Sequence, residues 1–139
     1  MTAYSGVLDF EKSYNLAKSQ IISLRALGNE NDIYNTTYGH YLVGCLGLKK
    51  FSELLRLIGD KEILRRTEAY CKLVALYMLK ETEYEESINE LLSKVDMNER
   101  ETLKALDLYL KEHDDKALKI IENSGLKMNF HNALKIIFN

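Results

Sequence analysis

Apolar residues recur at helical spacing along almost the whole chain. Phe10, Tyr14, Ala17, Ile21 and Leu24 form one stripe, the recurrence of a helix with a single buried face. Asp9 is placed to cap its start and Gly28 its end. Gly28-Asn-Glu-Asn-Asp32 then reads as a long connection. A second helix is predicted over Ile33–Gly47, with Tyr34, Tyr38, Tyr41, Leu42 and Cys45 inward. A third covers Lys49–Leu57 and ends before Gly59. The fourth carries Leu73, Val74, Tyr77 and Met78. A tight turn at Glu81–Glu83 leads into a fifth with Tyr84, Ile88, Leu91 and Leu92. The sixth follows a cap at Asn98 and carries Leu103, Leu106, Tyr109 and Leu110. The seventh, Asp115–Asn123, carries Leu118 and Ile121 and stops before Gly125. A last segment, Phe130–Phe138, has Leu134, Ile137 and Phe138 on one side.

Three second-helix openings can be laid on one another: Phe51-Ser-Glu-Leu54, Tyr84-Glu-Glu-Ser87 and Asp114-Asp-Lys-Ala117, spaced 33 and 30 residues apart. Phe10-Glu-Lys-Ser13 is an earlier one, 41 residues before Phe51. The connections within pairs are short, so each pair is expected to form an antiparallel hairpin. Ala75, Ser87, Ala105 and Ala117 are small enough to let paired helices approach closely. With Ala75, Tyr84 and Ser87 at small, aromatic and small positions, the chain resembles tetratricopeptide repeats, whose period is about 34 residues. The fold expected is all-α: a tetratricopeptide-like superhelix of seven to eight helices in antiparallel pairs. It reads as one domain over residues 1–139, whole or the N-terminal part of a longer array. The strongly apolar last helix has three readings: a cap buried on both sides, the edge of a longer array, or a docking segment.

Composition narrows the function classes. Hydrophobic residues are 46% and charged residues 29%, with a formal charge of −2 and a pI near 5.9. That is the balance of a folded domain and has no basic footprint, so nucleic acid and anionic membrane are not expected partners. No apolar run approaches the roughly 20 residues that span a bilayer. The first residues lack a basic stretch followed by an apolar one, so no secretory leader is read there. Cys45 and Cys71, the only cysteines, sit among apolar residues and are expected as buried free thiols. An intracellular location, cytoplasmic or nuclear, follows. The absence of proline suits a nearly all-helical chain.

Candidate chemistry is sparse. His40, His113 and His131 are scattered and no cysteine pair has metal-ligand spacing, so no metal or cofactor site is read and the histidines are expected at the surface or in caps. Glu81-Thr-Glu-Tyr-Glu-Glu86 is acidic and reads as a turn followed by a helix start that favours carboxylates. Lys61, Arg65 and Arg66 read as a solvated basic cluster. No nucleophile motif or phosphate-cradling loop occurs, and no catalytic residue is named. Gly44 and Gly47 lie inside a helical pattern, where each costs about 1 kcal/mol relative to Ala. Close approach of another helix, of this molecule or a second one, would explain them. Nine tyrosines give an aromatic supply suited to cores and interfaces alike. Tyr34, Tyr38, Tyr41, Gly44 and Leu46 are the residues expected at a self-association interface, because this helix has more apolar and small positions than one core stripe needs.

A narrower resemblance covers roughly Phe10–Leu92. It rests on Gly28-Asn-Glu-Asn-Asp-Ile-Tyr34, then Tyr41-Leu-Val, then Arg66-Thr-Glu-Ala-Tyr-Cys-Lys-Leu-Val-Ala75. These look like the N-terminal repeats of the tetratricopeptide scaffold subunits of the anaphase-promoting complex, a cell-cycle ubiquitin ligase. The chain lacks that family's Trp and Pro landmarks. The resemblance implies a non-catalytic scaffold that homodimerises by mutual clasping and binds other protein subunits. A second family, the peptide-sensing regulators of Gram-positive bacteria, also uses degenerate, proline-poor helical repeats. It implies a regulatory domain that binds a short peptide.

Overall fold

The computed structural model describes residues 7–27, 32–59, 64–79, 84–124 and 128–138. Asp9, expected to cap the first helix, stands inside it instead, because the helix already runs from Val7; the connection after Gly28, the turn at Glu81–Glu83, Lys61 and Gly125 lie outside what is described. Among the described residues the chain is all-α, with eight helices, one short 3-10 turn and no strand. The helices are α1 (Val7–Leu24), α2 (Asp32–Gly47), α3 (Phe51–Ile58), α4 (Arg66–Met78), α5 (Tyr84–Ser93), α6 (Met97–Glu112), α7 (Asp115–Glu122) and α8 (Met128–Ile137); the 3-10 turn, Arg25–Leu27, follows α1. Contacts divide them into two compact units. One is residues 1–50 with 128–139; the other is 51–127.

The first unit is built on the α1–α2 hairpin, with α8 packed on α2. Phe10, Tyr14, Ala17 and Ile21 of α1 are all buried, as their spacing predicts. Phe10 lies against Gly47 and Tyr14 against Gly44, so the two helices run antiparallel. α2 is buried all round its second half: every residue from Tyr41 to Gly47 is inside. α1 covers one side of it and α8 another. The last helix therefore uses its apolar face on its own chain, through Phe130, Ala133, Leu134 and Ile137. α2 ends on a left-handed Lys49, φ 60°. The Lys50 amide donates to the Cys45 carbonyl at 2.8 Å and the Lys49 amide to that of Leu46 at 3.1 Å. This is the capping arrangement that usually places glycine where Lys49 stands.

In the second unit α3 packs on α4, α4 on α5 and α6, and α6 on α7. The pairs α4–α5 and α6–α7 are those the repeat spacing predicts. Ala75 of α4 and Ala117 of α7, the small residues of these pairs, are buried. Gly59 ends α3 at φ 65°, a conformation glycine adopts without strain. α6 begins two residues earlier than its sequence suggests, with Asp96 rather than Asn98 as N-cap. α7 is capped by Asp114, which accepts from the Lys116 amide at 2.8 Å.

Two polar clusters tie the second unit together. Glu99 on α6 accepts from Arg66 Nε at 3.0 Å and from the Tyr70 hydroxyl; Arg66 also donates to the Ser124 carbonyl after α7. Arg66 was expected on a solvated face, but here its guanidinium bridges three elements. Burial pushes the Tyr70 phenol up to about 12, and its bond to Glu99 pushes the same way. The second cluster centres on Tyr84. Its hydroxyl donates to Asp107 at 2.9 Å, its ring stands edge-on to Tyr77 at 5.4 Å, and Lys111 bridges Asp107 and Glu85. Burial raises the Tyr84 phenol well above its ordinary value, Asp107 adding to the effect.

Candidate interaction surface on the N-terminal hairpin

The hairpin is held by unusually close helix packing. A Cβ at Gly44 would stand 3.0–3.1 Å from Tyr14 Cβ and Cα, and one at Gly47 would stand 2.4 Å from the Phe10 ring. The neighbour that these glycines admit is thus α1 of the same chain. Tyr14 meets Tyr41 edge-on at 5.5 Å. Lys18 and Lys50 place their ammonium groups 5.4 and 5.2 Å from the Tyr14 ring, within cation–π range, and Lys18 also donates to the Tyr14 hydroxyl at 3.2 Å.

This packing sorts the residues expected at a self-association interface. Leu46 is fully buried, Tyr41 is 5% exposed, and Gly44 lies under Tyr14. All three belong to the core of the folded chain, and a second molecule cannot reach them without opening the first unit. The surplus of apolar and small positions in α2 is explained by two covering helices, α1 and α8. Tyr34 and Tyr38 differ. They are half-buried and stack on one another at 6.2 Å, one helical turn apart.

Sequence periodicity missed the residues that stand out most on this hairpin. Ile22, Ile33 and Leu16 are 71%, 61% and 59% exposed, the most open branched aliphatic side chains among the described residues. Their signal was position: each falls next to the buried stripe, where a polar residue is expected. A helix turns about 100° per residue. Leu16 precedes buried Ala17 and Ile22 follows buried Ile21, so they leave the α1 stripe on opposite sides. The same rotation on α2 separates Ile33 and Thr37 from Tyr34 and Tyr38. The hairpin therefore has two distinct flanks. By that rotation Tyr34 and Tyr38 fall on one flank, and Ile22 on the side of α1 away from Leu16. The other flank carries a shallow cleft of about 340 Å³ lined by Lys12, Ser13, Leu16, Ala17, Gln20, Thr37 and His40.

The remaining candidate groups are structural. Cys45 and Cys71 are buried free thiols, as expected. His113 ends α6 in the left-handed conformation, stacked on Tyr109 at 5.7 Å. His131 was expected at the surface or in a cap; it is buried in α8, edge-on to Phe130 at 6.2 Å. The described residues hold no cluster of three or more His, Cys, Asp or Glu side chains with metal-binding placement. Among them, no helix is long and apolar enough to cross a membrane. No protein-family model, curated protein or solved structure matches the chain.

Proposed function

We propose that this chain is a non-catalytic protein–protein interaction scaffold that self-associates as a homodimer through the hairpin surface bearing Ile22, Tyr34 and Tyr38. One observation carries the reading: the hairpin leaves Ile22 of α1 71% exposed and carries two stacked, half-buried tyrosines on α2. An exposed aliphatic together with aromatic rings is the composition of an interface centre, since Tyr supplies large contact area at low entropic cost. A self-pairing flank makes an isologous contact, in which the same residues meet across a two-fold axis.

The reading agrees with the resemblance to the scaffold subunits of the anaphase-promoting complex. On that reading the chain works inside the cell, cytoplasmic or nuclear, as the dimerisation region of a ubiquitin-ligase scaffold, and binds other subunits with its remaining surface. Buried free thiols suit such a reducing compartment.

The test is sedimentation velocity across a dilution series. Wild type is expected to dimerise and Ile22→Glu to remain monomeric with unchanged helicity, because an exposed site tolerates the charge in the free chain. Wild-type protein that stays monomeric at high concentration overturns the proposal. Leu46→Glu is the contrast. It buries an unpaired charge in the core, so helicity and melting temperature are expected to fall at every concentration.

A further inference from the structure

We draw no further inference here: the strongest candidate, the shallow cleft on the N-terminal hairpin lined by Lys12, Leu16, Thr37 and His40, carries none, because nothing in the structure shows what covers it.

Discussion

The glycines of α2 allow a sharp test of the hairpin packing, because one substitution changes sign along a single helix. Glycine to alanine in a helix interior gains about 1 kcal/mol from reduced backbone entropy. At Gly39 a new Cβ has nothing within 4 Å, so Gly39→Ala should deliver most of that gain. At Gly44 the Cβ would stand 3.0–3.1 Å from Tyr14 Cβ and Cα. A helix backbone cannot swing aside, so α1 must shift by a few tenths of an ångström, and the gain should vanish. At Gly47 the Cβ would overlap the Phe10 ring at 2.4 Å. The ring must leave its rotamer or α1 must lift, an overpacking cost of about 1–3 kcal/mol, with little propensity to offset it at the last helical residue. The expected order of stability is Gly39→Ala above wild type, Gly44→Ala near it and Gly47→Ala below. Urea denaturation followed by circular dichroism reads this directly. With an m-value of about 2 kcal/mol/M, each kcal/mol moves the midpoint by about 0.5 M. Three alanine variants shifting together, in either direction, would refute the close approach of α1 to α2.

Other outcomes follow from the same geometry. Lys49→Gly should stabilise the chain by about 0.5–1 kcal/mol in a thermal melt, since only glycine adopts the left-handed C-cap of α2 without penalty. Ala75→Leu should cost about 1–3 kcal/mol by overpacking α4, where Ala75 is fully buried; an unchanged melting temperature would refute that crossing. Tyr70→Phe, which removes the donor to Glu99, should cost about 1 kcal/mol at neutral pH. Its folded-state pKa is raised to about 12, so the unfolded chain loses this proton first. Stability held by Tyr70 is then complete below about pH 10 and declines toward pH 12. Wild type should show a steeper alkaline loss than Tyr70→Phe in paired denaturation series. Cys45 and Cys71 should resist a thiol reagent in native protein and react after unfolding; fast native labelling would contradict their burial.

Helix positions were legible in the sequence because one-sided apolar stripes recur with period 3.6, as in Phe10–Tyr14–Ala17–Ile21. The partner of each helix was less so. α2 read as having spare apolar surface because the pattern does not reveal that a helix far along the chain packs on it. Gly44 and Leu46 looked like interface residues for that reason. A residue buried by a distant segment and one buried by another molecule have the same local signature. Arg66 read as solvated because its partners, Glu99 and Ser124, sit on other elements. Leu16, Ile22 and Ile33 were overlooked because stripe counting discards apolar residues that fall beside the stripe, and those are the ones left in water.

The placement of α8 has a consequence for the order of events as the chain is made. The second unit is one continuous stretch, so its contacts can form as soon as that stretch is available. The first unit is interrupted: its hairpin emerges early, while the helix that covers α2 emerges only after the whole second unit. Until then α2 lacks part of its cover, and the closing contact spans a long loop that slows its formation. A nascent or C-terminally clipped chain therefore displays an apolar helix face that the finished protein hides, a surface open to chaperones and to aggregation.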